Sequence, residues 1–213
     1  MKKFYLVFTC LFILLALPAL SFGADPAPAP AHGPYVSAYL GGTLKPDGDI
    51  TGSDFTGKIE YKPGFSVGAA GGYNFGMVRI EGELGYQRND MDKFSCKSGD
   101  CGSGSMKGNI YAVSGLANVY IDFVNSSPFT PFIGGGIGAA FISADFDETS
   151  GDNLREDNTV FAYQGTAGLA YSINPHMVLD LKYRYFGTAD VNLGDVKASF
   201  ASHNVFFGFR YNF

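Results

Sequence analysis

Hydrophobic and polar residues alternate with a period of two along most of the chain after residue 34. Because successive side chains of a strand point to opposite faces, this alternation predicts β-strands with one apolar and one polar face. No helical period competes with it, and no apolar run after the N-terminal segment is long enough for a membrane helix. Eight segments of ten to fifteen residues share the pattern: Tyr35–Leu44, Pro63–Asn74, Met77–Gln87, Asn109–Asp122, Thr130–Ser143, Thr159–Ser172, Met177–Gly187 and Ser199–Phe213.

The connections between these segments alternate between long and short. Antiparallel strands place alternate connections at opposite ends, so the long connections all lie at one end and the tight turns at the other. Short periplasmic turns, long external loops and an even strand number are typical of outer-membrane barrels. The sequence therefore predicts an all-β fold, a closed eight-stranded antiparallel up-and-down transmembrane β-barrel in the cell outer membrane, with periplasmic termini. The long connections are 45–62, 88–108, 144–158 and 188–198, and the short ones are 75–76, 123–129 and 173–176.

A soluble β-sandwich would also alternate, but the length of the segments favours a membrane barrel. Soluble strands commonly have about five or six residues, whereas about nine to eleven tilted residues span a bilayer. The apolar faces also end in aromatic residues, with Tyr183 and Tyr185 at one rim and Tyr211 and Phe213 at the other. Such residues mark membrane interfaces. A backbone in lipid must pair all its polar groups, so the eight strands have to close.

The first 34 residues differ from the rest of the chain. Residues 1–23 combine a positively charged start, an apolar run and small residues before Ala24, which is typical of a secretory signal peptide. Residues 24–34 are rich in alternating Ala and Pro and are expected to form an extended periplasmic spacer. The barrel is expected to occupy residues 35–213.

Composition and charge exclude some classes of function. The net charge is -5 and charged residues make up 16% of the chain, against about 25% in ordinary domains. An acidic chain lacks the basic footprint of a nucleic-acid binder, so no nucleic-acid partner is expected. We also expect no enzyme activity and no cofactor. Ser202 and His203 are adjacent on a strand and therefore on opposite faces, whereas a nucleophile and its base must share one.

Two further groups of residues could form a disulfide or a metal site. Cys96 and Cys101 remain after signal removal, and an even number of cysteines in an exported chain favours a disulfide over a metal site. In the acidic connection 144–158, Asp145 and Glu156 have the first and twelfth spacing of a calcium loop, but the sixth position is not Gly. We expect no specific metal site, only a solvated acidic loop that divalent cations could bridge to lipopolysaccharide phosphates.

The polar face of the strands carries a balanced set of charges. An eight-stranded barrel has an interior just wide enough for side chains to fill. Each buried charge then needs a partner, because desolvating an unpaired one costs several kcal/mol. The sequence predicts a lumen ion-pair network that plugs the barrel, and the alternative is a gated path for ions or small solutes. The four cations and four anions of the predicted network are Arg79, Lys182, Arg184, Arg210, Glu81, Glu83, Asp122 and Asp180.

The last residues of the chain carry a family resemblance. Gly208, with Tyr211 and Phe213 at the third-last and last positions, resembles the insertion signal of outer-membrane proteins, although Phe206 stands where a polar residue is usual. With the eight strands, residues 35–213 resemble the OmpA-like and OmpX-like eight-stranded barrel family, which includes adhesins and surface antigens. A peptidoglycan-binding domain is not expected.

The resemblance implies a structural, envelope-integrity or adhesin-like role through four external loops. It also implies outer-membrane lipid, lipopolysaccharide and the barrel-assembly machinery as partners, with an unidentified surface ligand. The alternatives are a porin-like channel and a lipid-modifying barrel enzyme.

Overall fold

A computed structural model describes most of the chain, and the described residues form β-strands and the connections between them. In the described part no helix is long and apolar enough to cross a membrane. The described residues are 32–46, 48–51, 56–98, 104–105, 108–146, 154–189, 191–193, 196–198 and 200–213.

Eight long strands form one closed antiparallel barrel. Each pairs with its neighbours along the chain, and the first pairs with the last, so that the sheet has no edge across the barrel wall. The predicted fold is confirmed. The strands are β1 (Gly33–Leu44), β2 (Gly64–Asn74), β3 (Val78–Ser98), β4 (Gly108–Asp122), β5 (Phe129–Phe146), β6 (Leu154–Ser172), β7 (Met177–Thr188) and β8 (Ala201–Asn212).

The long connections contain more strand than the sequence pattern predicts. The pattern ends β3 at Gln87, but the strand continues to Ser98. Its extension pairs with Thr56–Tyr61, which forms a hairpin with Gly48–Thr51. These extensions lie beyond the apolar outer band, so backbone hydrogen bonds can hold them without any apolar alternation. For that reason the sequence pattern could not show them.

The fourth connection also differs from its predicted form. β8 begins at Ala201 rather than at Ser199. Within the connection, Val191–Leu193 pairs with Val196–Ala198 as a two-stranded sheet separate from the barrel sheet. At the other terminus β1 begins at Gly33, two residues before the predicted start.

The two faces of each strand have the predicted orientations. In β8, Phe207 points outward and is 69% exposed, whereas its neighbour Phe206 points inward and is 0% exposed. The outward apolar band is bounded by aromatic residues at both ends of the barrel. At the end with long connections these are Tyr86, Tyr111, Tyr163, Tyr183 and Tyr185, and at the end with short turns they are Tyr73, Phe129, Tyr171, Tyr211 and Phe213.

Inward glycines make room for large inward side chains on the adjacent strand. Asn118 on β4 lies directly across from Gly136 on β5, and Tyr120 lies across from Gly134. A Cβ at Gly136 would collide with the Asn118 amide, and one at Gly134 would collide with the Tyr120 ring. The same arrangement places Tyr39 of β1 over Gly68 of β2. The interior is therefore closely filled with side chains.

The outward band gives a depth-dependent prediction. Leu84 lies midway along the barrel part of β3 and is 71% exposed on the outer face, whereas Leu44 is the last residue of β1. Leu84→Arg should destabilise the folded barrel by about 2–4 kcal/mol, because the charge would enter hydrocarbon, and Leu44→Arg by about 0–1 kcal/mol. Guanidinium unfolding in phospholipid vesicles, followed by circular dichroism, measures both. Equal effects would contradict a lipid-facing band.

Candidate functional site

The barrel interior contains the charged residues that the sequence places on the inner face. Three of its four cations form ion pairs with three of its four anions, and all six side chains are at least nine-tenths buried. The closest atoms are Arg79 Nε and Asp122 Oδ2 at 2.7 Å, Arg184 Nη1 and Glu83 Oε1 at 2.8 Å, and Arg210 Nη2 and Asp180 Oδ1 at 3.2 Å.

The pair of Glu83 and Arg184 is the centre of a larger hydrogen-bond network. The Tyr39 hydroxyl donates to Glu83 Oε1 at 2.6 Å. Glu83 Oε2 accepts from Asn118 Nδ2 at 3.0 Å and from Gln164 Nε2 at 3.2 Å. These side chains come from β1, β3, β4, β6 and β7. The network therefore joins five of the eight strands across the lumen.

Glu81 is stabilised by neutral donors rather than by an opposite charge. Its carboxylate accepts from the Tyr35 hydroxyl at 2.9 Å, the Tyr120 hydroxyl at 3.1 Å and the Asn118 amide at 3.3 Å. The described residues place no cation within ion-pair distance of it. These three donors satisfy the buried carboxylate oxygens and so replace the partner that the sequence pattern implied.

Lys182 is the lumen cation that forms no ion pair within the described residues. Its Nζ lies 4.0 Å from the centroid of the Tyr39 ring, a distance typical of a cation–π contact. Beside it is a cavity of about 10 Å³, lined by Arg210 and Asp180 among others. That volume holds about one water molecule. Arg210 Nε and Nη1 have no hydrogen-bond partner within the described residues.

Among the described residues, amide and apolar side chains fill most of the half of the lumen near the long connections. Gln87 Nε2 donates to Asn89 Oδ1 at 3.2 Å, and the Ser202 hydroxyl donates to Gln87 Oε1 at 3.1 Å. An apolar cluster lies in the same half and consists of Ala112, Leu116, Ala140, Ala162, Phe186 and Phe200. Sequence reasoning singled out the charges and missed both groups. The period-two pattern could have identified both groups, because every second residue that follows the charged positions along a strand also faces the lumen.

One cation lies just beyond the end of β1. The Nζ of Lys45 lies 3.9 Å from the centroid of the Tyr61 ring and 4.7 Å from that of Phe200. Burial lowers the pKa of Lys45 to about 8. The ammonium group is therefore still mostly charged at pH 7, between two aromatic rings.

Of the predicted assembly residues, Tyr211 and Phe213 lie at the end with short turns, whereas Gly208 lies further along the barrel wall, paired with Tyr39 and Asp180. The Tyr211 ring stacks on His176 with centroids 6.1 Å apart and meets the edge of Phe213 at 5.3 Å. His176 Nδ1 lies 2.9 Å from the Asn212 carbonyl oxygen. Sequence reasoning identified no partner for His176, because the contact comes from β8, distant in sequence. The assembly role of the three residues stays a prediction.

Ser202 and His203 lie on opposite faces of β8. Ser202 points into the lumen and is fully buried. His203 points outward, where its Nδ1 lies 2.6 Å from the Tyr183 hydroxyl oxygen. The barrel wall separates the two side chains, so they cannot act together as nucleophile and base.

Three predictions concern parts of the chain that lie outside the described residues. These parts include the signal peptide 1–23 and all but the last three residues of the spacer 24–34. So are Cys101, the proposed partner of Cys96, and the side chains of the acidic connection 144–158. The cleavage, the disulfide and the loose cation binding stay predictions.

Comparison with known proteins adds the family context. A family model described as the outer membrane protein beta-barrel domain matches residues 12–213. A candidate adhesin of Rickettsia conorii is 30% identical over 203 residues, covering 84% of this chain and 81% of that protein. An uncharacterised protein of Brucella abortus is 31% identical over 146 residues, covering 58% of this chain and 51% of its own length. The chain thus spans about half the length of that relative.

A solved structure shows the same fold. The crystal structure of Neisserial surface protein A matches with a TM-score of 0.55 and 23% identity. The match covers 85% of this chain and 97% of that chain.

The central ion pair can be tested against an exposed one. Arg184→Met leaves the Glu83 carboxylate buried without its cation and should lower the free energy of unfolding by about 3–5 kcal/mol. Arg88→Met is the control. The Arg88 guanidinium lies 3.6 Å from Asp90, their side chains are 46% and 61% exposed, and the loss should stay below about 1 kcal/mol. Guanidinium unfolding in vesicles provides the measurement.

The double variant Glu83→Gln/Arg184→Met separates this contact from general damage. It should be less destabilised than the sum of the two single variants, because neither charge is then left alone. Strictly additive losses would show that the two residues do not depend on each other.

Proposed function

The chain belongs to the outer membrane β-barrel family and lies in the cell outer membrane, and we propose that it acts through its external surface as an envelope-stabilising or adhesin-like protein. By the rule that outer-membrane barrels have short periplasmic turns and long external loops, the four long connections face outward from the cell. Both ends of the barrel domain then lie in the periplasm.

The observation that carries this proposal is the filled lumen. Ion pairs, amide networks and an apolar cluster occupy the interior in turn along the barrel axis. The cavity beside Lys182 has room for about one water molecule. A porin needs a continuous aqueous path, which in known barrels comes with many more strands. The arrangement therefore supports a closed barrel over the alternative of an ion or small-solute channel.

The external ends of the strands support a role in surface binding. β3 and the hairpin of the first connection form a small sheet above the barrel. β5 and β6 remain paired as far as Phe146 and Leu154, also beyond the barrel wall. Such structured loops on a rigid scaffold are where binding residues commonly lie. The Rickettsia conorii relative, which aligns over most of both chains, is itself named as a candidate adhesin.

We further propose that the protein is not an enzyme. The separation of Ser202 and His203 by the barrel wall removes the nucleophile and base that the sequence offered. The proposed partners are outer-membrane lipid and lipopolysaccharide around the aromatic rims, and a surface ligand at the external connections. During assembly, the barrel-assembly machinery would read Gly208, Tyr211 and Phe213.

Expression in a non-adherent Gram-negative strain tests the surface role. Cells that carry the full chain should bind to epithelial cells or to extracellular matrix better than cells without it. Replacement of residues 48–59, within the first connection, by a short Gly-Ser linker should lower this binding. The control replaces the periplasmic turn 126–128 in the same way and should leave binding unchanged.

Conductance in planar bilayers tests the alternative. The purified wild-type barrel should conduct weakly or not at all. Large, open, ion-selective steps from correctly folded protein, together with binding that no external replacement lowers, would overturn the proposal in favour of a channel.

The assembly signal gives a separate prediction. Deletion of Phe213 should lower the amount of folded barrel in the outer membrane while export to the periplasm continues, because the terminal aromatic would be read during insertion. Phe207→Ala removes an aromatic from the same strand at a position outside the signal and should reduce assembly much less. Heat-modifiable migration on denaturing gels reports folded barrel in each fraction. Normal levels of the truncated chain would contradict the role.

A further inference from the structure

A small cavity lies in the lumen beside the ion pair of Arg210 and Asp180. Its volume is about 10 Å³, which is room for about one water molecule. Besides this pair, its lining includes Lys182 of β7, Glu81 of β3 and Ser37 of β1. The cavity therefore brings polar side chains from four strands to one point of the lumen.

Arg210 has hydrogen-bond donors that its ion pair does not use. The residue is 1% exposed, and its Nη2 donates to Asp180 Oδ1 at 3.2 Å. Its Nε and Nη1 are buried and have no hydrogen-bond partner within the described residues. A guanidinium group can only donate, and a buried donor without a partner is costly. Arg210 therefore needs a further acceptor, and the cavity beside it has the space for one.

Lys182 brings further donors to the same cavity. Its ammonium group forms no ion pair within the described residues. Its Nζ lies 4.0 Å from the centroid of the Tyr39 ring and 5.8 Å from that of Phe206. An aromatic face attracts the charge, but it does not occupy all three N–H donors of a lysine. Lys182 therefore also needs an acceptor.

The charges around the cavity favour a neutral ligand over an anion. Arg79, which also lines the cavity, is already paired with Asp122 at 2.7 Å. The carboxylates of Glu81 and Asp180 balance the two other cations in the lining. A bound anion would add an uncompensated negative charge to a narrow lumen, and burying such a charge is unfavourable.

A water molecule also fits the mixture of donors and acceptors. The guanidinium and ammonium groups can only donate, the carboxylates can only accept, and the Ser37 hydroxyl can do both. A halide ion only accepts hydrogen bonds, whereas a water molecule both accepts and donates. Buried waters commonly make about three hydrogen bonds to protein groups. Of these two ligands, only water can join the cations to the carboxylates.

We propose that this cavity is a binding site for one structural water molecule. The water accepts hydrogen bonds from Arg210 and Lys182 and donates to the carboxylates of Glu81 and Asp180. Such a bridge is enthalpically almost as favourable as a direct hydrogen bond. The water thereby joins β3, β7 and β8 across the lumen and gives Lys182 an acceptor. This site goes beyond the proposed surface role and does not depend on it.

A crystal structure of the refolded protein, grown with bromide in place of chloride, tests the site directly. One peak of electron density is expected in the cavity, within about 3.2 Å of nitrogen atoms of Arg210 and Lys182. It should show no anomalous scattering at the bromine absorption edge. An anomalous peak would assign the site to an anion and overturn the proposal. A cavity without density, or one closed by direct contact of Lys182 with Glu81, would overturn it as well.

Two variants of Ser37 test the site in a membrane. Ser37 lies directly across from Arg210 in the barrel sheet. Ser37→Thr and Ser37→Val add side chains of nearly equal size, but only Thr keeps a hydroxyl that can accept from Arg210. Ser37→Val should lower the ratio of folded to unfolded protein at least about tenfold below that of Ser37→Thr, which corresponds to about 1.4 kcal/mol. Guanidinium unfolding in vesicles, followed by circular dichroism, measures both ratios.

The next residue on the same strand provides the control. Ala38 is exposed on the outer face, where a hydroxyl group meets hydrocarbon and is unfavourable. Ala38→Val should therefore be at least as stable as Ala38→Thr, opposite to the order at Ser37. Equal ratios for the two Ser37 variants, or an equal preference for Thr at both positions, would overturn the proposal.

Heat-modifiable migration verifies the closed barrel in every variant. If the Ser37 variants do not fold, the crystal structure of the wild-type protein decides. Neither measurement bears on adhesion, so this proposal and the proposed function fail separately.

Discussion

The narrow interior of an eight-stranded barrel is the constraint on which the rest of this structure depends. A closed ladder of backbone hydrogen bonds allows the wall to stand in lipid, but closure at eight strands leaves a lumen only as wide as its side chains. Each large inward residue therefore needs a small neighbour, as Tyr120 has in Gly134. Each inward charge needs compensation, as Arg79 has in Asp122. Filling and neutralisation together leave little free space among the described lumen residues, which supports the proposal of a closed barrel.

The buried charges are stabilised in different ways at different heights along the lumen. Glu83 has a cation, whereas Glu81 has three neutral donors and Lys182 lies on an aromatic ring. All three arrangements lower the cost of burying a charge. Toward the outside, the charges give way to amides and then to the apolar cluster that contains Phe200. An ion moving through the barrel would have to displace each group in turn, which is why the external surface is the better place to look for function.

The sequence predicted the strands of the barrel wall better than the contacts between side chains in the lumen. Period-two alternation, strand length and the order of long and short connections were sufficient for eight strands and for their inward faces, because lipid and lumen impose opposite polarity on alternate residues. The extension of β3 to Ser98 was missed, since nothing above the membrane requires alternation. Equally, the pattern placed Lys182 and Glu81 in one paired network, but pairing depends on the height and stagger of strands that lie far apart in sequence.

The sequence by itself determined the strand number, the two faces, the end at which the long connections lie and the inventory of buried charges. These are local properties, set by which side chains tolerate lipid. Only the tertiary structure decided which charge meets which, that His176 contacts the C-terminal strand, and that Phe200 joins one buried cluster with Ala112, Ala140 and Ala162. Such contacts join strands separated by tens of residues. Their geometry follows from barrel closure and register, which no single segment of the chain contains.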